Sequence, residues 1–377
     1  MATRMAATPP TLAGYSYVRP LGSGGFADVF LYEQDMPRRV VAVKVLLADA
    51  VNPEVLQTFN VEADISARLS AHPSIVTIYQ ASISADGRPY FAMEYCPDTM
   101  SARYKKAPLP LAEVLDIGVR MAGALETVHR AGLLHRDIKP SNVLINSLGA
   151  PVLADFGIAA AVMEEGEGET IAMSVPWSSP EVLQERVSGS IPSEVWSLGA
   201  TLYTLLAGRS PFERADRGSN SRDQLTDRII KARYTAVPVP GIPPIIDDIF
   251  ASAMHRDPAK RPASMAEFAE KLRWAQYELG ISPTAFEAAS SEWAAAAPVN
   301  FGDTAVRGPV ITTVAPDSRR AARAAQAQAA PRERDDIPAG PRGRSRSPLM
   351  VGVVGAAIGA AAIAGIGTAV LFLTGIL

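Results

Sequence analysis

Hydrophobic and polar positions alternate over short distances in the first part of the chain. Within residues 15–87, β-branched runs such as 40–43 and 75–78 are separated by Gly, Pro and Asp, a pattern typical of strands. One helix interrupts this region, because Asn52 followed by Pro53 predicts a helix N-cap and first turn. The apolar positions of that helix recur at roughly helical spacing and are Phe59, Ile65 and Leu69.

Between residues 111 and 279 the apolar period becomes helical. Long amphipathic stretches cover 111–131 and 193–207. A strand-rich lobe followed by a larger helical lobe predicts an α+β fold with two lobes.

The pattern changes again towards the C-terminus. Arg, Ala and Pro dominate residues 303–348, which contain too few large apolar side chains to offset the entropy of ordering. No charge follows Arg346, and residues 349–377 form an uncharged stretch longer than the roughly 20 residues that a helix needs to cross a bilayer. We therefore predict a disordered linker and a C-terminal transmembrane helix; a buried core helix is the alternative for the tail.

Composition limits the class of protein. The 377 residues are 48% hydrophobic and 20% charged, which excludes a disordered chain, and the formal charge of −3 argues against a general nucleic-acid binder. The single cysteine, Cys96, excludes an internal disulfide and a cysteine-rich zinc site. Arg4 is not followed by an apolar core, so the N-terminus is not a secretory signal. The predicted organisation is an N-terminal tail (1–14), a globular domain (15–275), a linker (276–348) and a membrane span (349–377).

Candidate chemistry begins with a glycine-rich turn at residues 22–25. Glycines let a backbone approach phosphates closely, although one such turn is weak evidence because an ordinary hairpin looks the same. The strand at 41–44 places Ala42 and Lys44 on one face. Glu62 shares a helix face with apolar residues, and a buried carboxylate needs a partner, for which Lys44 is the natural candidate.

Further motifs follow in a fixed order. They are His135-Arg136-Asp137-Ile138-Lys139-Pro140-Ser141-Asn142, Asp155-Phe156-Gly157, Ser179-Pro180-Glu181, Ser197-Leu198-Gly199 and the stretch from His255 to Pro262. Together with the glycine-rich turn they resemble the eukaryotic-like (Hanks-type) bacterial serine/threonine protein kinases over about residues 15–272. Lys139, two residues after Asp137, matches serine/threonine rather than tyrosine kinases.

The resemblance implies a role for each matching residue in phosphoryl transfer from ATP. Asp137 would orient the substrate hydroxyl and accept its proton, Lys139 would contact the γ-phosphate, and Lys44, paired with Glu62, would hold the α- and β-phosphates. Asn142 and Asp155 would hold Mg²⁺, or Mn²⁺ in its place. Glu181 and Arg261 would form a buried ion pair. The implied ATP-binding residues are Leu21, Gly22, Ser23, Gly24, Gly25, Val29, Ala42, Lys44, Glu94, Cys96 and Leu144.

Three positions depart from the family pattern. Ala27 replaces the third glycine of the loop, and Glu194 stands where an Asp usually braces the catalytic-loop backbone, which puts that brace in doubt. Ser174 stands where a threonine usually contacts the catalytic Asp and Lys, and keeps the hydroxyl.

The activation segment is unusually acidic. It carries four glutamates before Thr170. Arg136 would ordinarily pair with a phosphate on this segment, and the glutamates could supply part of that negative charge instead. The alternative, which we favour, is that they form a solvated acidic loop. Thr170 and Ser174 are the candidate phosphorylation sites.

The predicted function is that of an autophosphorylating serine/threonine kinase. It would act on protein Ser/Thr hydroxyls with Mg-ATP, as a single-pass protein of the cell membrane with its kinase domain in the cytoplasm, because Arg342, Arg344 and Arg346 precede the span. Phosphothreonine-reading (FHA-type) partners and a homodimer are compatible with the resemblance. The alternatives are a pseudokinase scaffold, a small-molecule kinase and a membrane assembly protein.

Overall fold

The computed structural model describes residues 6–25, 27–155 and 174–289. Among these residues, no helix combines the length and the apolar character that a membrane crossing requires. The predicted span at 349–377 lies outside the described residues, as does the linker beyond residue 289.

The first lobe is a five-stranded antiparallel sheet with one long helix. The strand order is β1-β2-β3-β5-β4. The helix begins as predicted, because the Asn52 side chain accepts a hydrogen bond from the Val55 amide (2.7 Å) and Pro53 occupies its first turn. The elements are β1 (Tyr15–Ser23), β2 (Ala27–Gln34), β3 (Arg39–Leu46), α1 (Pro53–Leu69), β4 (Ile78–Ile83) and β5 (Pro89–Glu94).

The apolar run at 75–78 differs from the prediction. Strand β4 begins only at Ile78. Ile75 forms an isolated bridge with Leu153, and the Val76 amide donates to the Leu153 carbonyl (2.9 Å). Leu153 belongs to the second lobe. The run is therefore a connection between lobes, since its backbone groups pair with a strand distant in sequence.

The second lobe is helical around a large apolar core and carries a small sheet of order β6-β7-β8. Helix α3 packs against α5 and α8, and Trp196 of α5 is fully buried. The elements are β6 (Asp98–Thr99), α2 (Met100–Lys106), α3 (Leu111–Arg130), β7 (Val143–Ile145), β8 (Pro151–Leu153), α4 (Pro180–Leu183), α5 (Ile191–Ala207), α6 (Arg222–Lys231), α7 (Pro244–Ala253) and α8 (Met265–Glu278).

Helix α5 positions a carboxylate beneath the site. A capping box between Ser190 and Ser193 fixes the first turn, in which each side chain satisfies the other residue's backbone amide. Glu194 follows in the same turn and its side chain is only 3% exposed. The first turn of α5 therefore places the buried Glu194 carboxylate inside the second lobe.

Candidate active site

The glycine-rich turn joins β1 to β2. The Gly24 amide donates to the Ala27 carbonyl (2.8 Å), which closes the hairpin over residues 24–27. Gly22 lies opposite Val29 on the neighbouring strand, and Val29 lies opposite Lys44 of β3. Directly opposed residues share a sheet face, so Gly22, Val29 and Lys44 lie on one surface.

The predicted ATP-binding residues include residues from both sheets. Glu94 ends β5, Cys96 follows it, and Leu144 lies on β7. Cys96 and Leu144 pack with Met93 against one small apolar cluster. Burial, reinforced by the charge of Glu94, raises the pKa of the Cys96 thiol to about 12, so the thiol remains protonated at neutral pH.

Lys44 and Asp155 are 111 residues apart in sequence and form a direct ion pair. The distance from Lys44 Nζ to Asp155 Oδ1 is 2.6 Å. The nearby Lys44 ammonium lowers the pKa of Asp155, which is therefore ionised at neutral pH. Both residues line a cavity with Phe91 and Met93. The side chain of Glu62 lies outside the described residues, so its pairing with Lys44 stays a prediction.

Three polar side chains surround Asp137 of the loop between α3 and β7: Lys139 and Asn142 from the same loop, and Ser174 from a later segment. The Ser174 hydroxyl donates to Asp137 Oδ1 (2.8 Å), and Lys139 Nζ lies 2.7 Å from Asp137 Oδ2. Lys139 Nζ also donates to Ser174 Oγ (2.9 Å), so the three groups form a closed triangle. Ser174 thus occupies the position predicted for it beside the acid and the lysine.

Asn142 is oriented by Asp137. Its amide nitrogen donates to the Asp137 carbonyl (2.8 Å) and to Asp137 Oδ2 (3.0 Å), which directs its oxygen the other way. The Asn142 carbonyl accepts from the Ala154 amide (2.9 Å), so Asn142 lies next to the backbone that carries Asp155. An amide oxygen and a carboxylate are suitable ligands for Mg²⁺, which usually retains water and phosphate oxygens as its other ligands. The donor set fits this cation.

The backbone is strained at two residues of the site. Arg136 has a φ of 64° and Asp155 a φ of 58°, in the left-handed region that non-glycine residues seldom adopt. The Arg136 amide donates to Glu194 Oε1 at 2.6 Å, so this buried carboxylate holds the strained residue in place. The longer Glu side chain therefore reaches the loop that an Asp usually braces.

His129, at the end of α3, is a site residue that the sequence does not reveal. Its Nε2 lies 2.6 Å from Glu194 Oε2, and both side chains are almost fully buried. The sequence gives His72, His129 and His255 no metal-ligand spacing, so from sequence alone they are interpreted as ordinary packed or surface residues. The one sequence signal at this place is that Glu194 stands where the family usually has Asp, which draws attention to the contacts of residue 194.

We expect Glu194→Leu to destabilise the protein by about 2–5 kcal/mol, because two buried donors, on Arg136 and His129, would lose their acceptor. Glu194→Gln retains one acceptor oxygen and should cost less than half as much. Urea denaturation of both variants measures the difference. Equal losses would show that the carboxylate fills space without bracing the loop.

The second predicted ion pair is present and buried. Arg261 Nη1 and Nη2 lie 2.6 Å and 2.9 Å from the two Glu181 oxygens, and the Arg261 side chain is 0% exposed. Burial opposes ionisation of Glu181, but the hydrogen bonds and charge of Arg261 outweigh it, and the pKa of Glu181 lies below its usual value. The guanidinium also lies 5.0 Å from the Trp196 ring centroid, which joins α4 to the core of the lobe.

Some predicted residues cannot be placed. Thr170 and the glutamates that precede it belong to residues 156–173, which lie outside the described residues.

The fold and the polar groups around Asp137 and Lys44 define a bilobal kinase domain. The chain belongs to the protein kinase domain family, whose model matches residues 15–274.

Three curated relatives illustrate this similarity. The chain is 41% identical over 281 residues to serine/threonine-protein kinase PknK of Mycobacterium tuberculosis, which covers 72% of this chain and 24% of PknK. It is 34% identical over 282 residues to PknF of the same species, covering 70% of this chain and 56% of PknF. It is 33% identical over 252 residues to PrkC of Bacillus subtilis, covering 66% and 38%. The chain therefore spans a quarter to just over half of these relatives, and the predicted family is confirmed.

Proposed function

We propose that this chain is a serine/threonine protein kinase that transfers the γ-phosphoryl group of ATP to hydroxyl groups of proteins. The observation that carries the proposal is the closed arrangement of Asp137, Lys139 and Ser174, with the Lys44–Asp155 pair as the second charged group of the site. A transferring phosphoryl group spreads negative charge over its oxygens, so two lysines, each beside a carboxylate of the site, suit this chemistry.

Each side chain has a distinct task in this proposal. Asp137 orients the substrate hydroxyl and accepts its proton, and Lys139 neutralises charge on the γ-phosphate. Lys44 holds the inner phosphates once it exchanges part of its contact with Asp155 for them. Asn142 and Asp155 would hold Mg²⁺, which supplies further neutralisation of phosphate charge.

A pseudokinase scaffold is the main competing function, and one assay separates the two. The full chain, incubated with Mg-ATP labelled in the γ-phosphate and a generic protein substrate, should transfer label to Ser and Thr. We also expect label on the chain itself at Thr170 or Ser174, where Arg136 offers a cationic partner. Binding of ATP without transfer to substrate or chain would favour the scaffold.

We further propose that residues 349–377 anchor this kinase in the cytoplasmic membrane. As a helix the 29 residues would extend about 43 Å, well over the roughly 30 Å of hydrocarbon in a bilayer. Arg342, Arg344 and Arg346 immediately before them favour a cytoplasmic kinase domain by the positive-inside rule. The linker would then let the domain reach membrane-associated substrates at high effective concentration.

Truncation after Pro348 should release an active, soluble kinase from the membrane fraction. The membranes are washed at high salt before pelleting. Each linker arginine near anionic lipid adds about 1 kcal/mol of electrostatic attraction, which salt screens. Membrane pelleting of full and truncated chains, each washed in this way, measures the effect. A truncated chain that still pellets would show that another surface holds it.

A matched pair of substitutions tests the same stretch without truncation. Ile363→Arg places a charge near the middle of the proposed span at a cost of about 2.5–3.5 kcal/mol and should weaken membrane association, whereas Ile363→Leu should not. Loss of association in both variants would contradict the anchor.

A further inference from the structure

Residues 281–289, which we name the strap, continue past the last helix and return along α3. Gly280, with a φ of +67°, ends α8, and the Ile281 amide donates to the Gln276 carbonyl (2.8 Å). The chain then leaves the helix axis and lies on α3 with no regular secondary structure of its own. The strap lies beyond residue 274, where the family model ends.

Buried side chains hold the first half of the strap. The Thr284 hydroxyl donates to Asp116 Oδ1 of α3 (2.9 Å) and accepts from the amide of the Gln276 side chain (2.9 Å). The Thr284 backbone amide donates to Gln276 Oε1 (2.9 Å), and Gln276 is only 1% exposed. Phe286 adds apolar contact with the main core.

The second half passes directly over a helical glycine. A Cβ on Gly123 would lie 2.1 Å from the Glu287 carbonyl oxygen, so backbone touches backbone there. The Ala289 amide donates to Thr127 Oγ1 (3.1 Å), and the Ala289 carbonyl accepts from Arg130 (2.8 Å). A glycine inside a helix weakens it, and this close approach is the structural reason for one at position 123.

The strap is about as long as the stretch of α3 that it contacts. Positions 116, 123, 127 and 130 of α3 lie on one face because the steps between them are seven, four and three residues, close to whole turns of a helix. From Thr284 to Ala289 an extended chain covers about 16 Å, and from Asp116 to Thr127 the helix rises by about the same distance. The contacts therefore follow the helix in order, from its first turns to its end.

The strap also bonds to the turn that follows α1. The Ser74 amide donates to His72 Nδ1 (3.0 Å), so that nitrogen carries no proton. His72 Nε2 therefore carries the proton and donates to the Glu287 carbonyl (2.9 Å). The His72 amide in turn donates to the carbonyl of Leu69, the last residue of α1.

We propose that the strap is a positioning element of the kinase, which ties the turn after α1 to helix α3. The same Glu287 carbonyl contacts Gly123 of the second lobe and His72 of the first. Helix α1 carries Glu62, the predicted partner of Lys44, so a seated strap holds the end of the helix on which phosphate positioning depends. The catalytic unit then ends near Ala289 rather than at the end of α8. The link to catalysis rests on the proposed kinase function, whereas the seating of the strap does not.

The first test uses Gly123→Ala in the full chain. Alanine normally stabilises a helix relative to glycine, but here its methyl group would displace the strap, so we expect a lower Tm. In a chain whose residues 281–289 are replaced by nine Gly and Ser residues, the same substitution should raise Tm by about 2–4 °C. The exposed strap residue Ser282, changed to Ala, is the matched control and should have no effect. A higher Tm for Gly123→Ala in both backgrounds would overturn the proposal.

The second test separates the His72–strap bond from the packing around it. Gln at position 72 can reproduce the Nε2 donor, whereas Asn can reproduce only the Nδ1 acceptor. His72→Asn should therefore lower kcat by about three- to tenfold, the range expected for one hydrogen bond, with the KM for peptide unchanged, and His72→Gln should retain most of the activity. Loss of activity in both, or in neither, would contradict a positioning role.

Hydrogen exchange distinguishes the two possible failures. The amides of Ser70, His72 and Ile75 should exchange faster in Gly123→Ala and His72→Asn than in the wild type and in His72→Gln. This measurement needs no catalysis, so a chain without kinase activity would overturn the proposed function and still report on the strap. Unchanged exchange in all variants would overturn the strap as a link to α1.

Discussion

Asp137→Asn should lower kcat by at least about a hundredfold while the protein stays folded. The asparagine side chain is similar in size but cannot accept the substrate proton, and general-base catalysis contributes about 10²–10⁴-fold. It would also present an amide group to Lys139 or Ser174, which now lie 2.7 Å and 2.8 Å from the carboxylate oxygens. Steady-state transfer of labelled phosphate to a protein substrate measures the loss.

Asp248→Asn is the matched control, because Asp248 is an exposed acid of α7 remote in sequence from every predicted site residue. It should retain wild-type kcat and Tm. Lys44→Met removes the ammonium that pairs with Asp155 and should lower turnover by a similar factor. Wild-type turnover by either Asp137→Asn or Lys44→Met would contradict the role given to that residue.

Arg261→Met should destabilise the kinase domain by about 3–5 kcal/mol, a Tm decrease of roughly 10 °C for a domain of this size. The substitution would leave Glu181 as a largely buried charge without its partner, since its side chain is 12% exposed. It would also remove the donor that satisfies the Pro192 carbonyl (2.9 Å) and the His255 carbonyl (2.8 Å). Thermal unfolding of wild type and variant measures the loss.

The double variant Arg261→Met, Glu181→Met should recover part of the loss, because removing both charges eliminates the unpaired one. The pH dependence gives an independent check. The pKa of Glu181 lies below its ordinary value of 4.5, so the ion pair stabilises the fold fully above pH 4.5 and is lost as pH falls through the lower folded value. The stability difference between wild type and Arg261→Met should shrink below pH 4.5. A difference that is constant with pH would assign the effect to packing alone.

Local sequence signals account for much of the fold. Asn52 with Pro53 marks the start of α1, and the apolar period at 111–131 and 193–207 anticipates α3 and α5 to within two residues. These signals work because capping and amphipathic periodicity depend on residues within one or two turns of each other. The motifs around Asp137 and Asp155 name the candidate chemistry for the same reason, since each motif is contiguous.

Contacts between distant segments could not be predicted in this way. The apolar run at Ile75 and Val76 reads as a strand of the first sheet, yet it bonds to Leu153 of the second lobe. A β-branched run records a preference for extended backbone but not the identity of its partner, which topology decides. His129 is a similar case, because only the fold brings it to Glu194.

By itself the sequence determined the family, the two lobes, the start of α1 and most of the residues gathered around Asp137 and Lys44. Each of these is encoded in neighbouring residues or in a contiguous motif. Tertiary structure alone decided that Lys44 pairs with Asp155, that Glu194 reaches Arg136, and that residues 281–289 lie along α3 rather than beginning a linker. The physical reason is that hydrogen bonds and charge pairs between distant segments depend on ångström-scale distances, which only the packed chain sets.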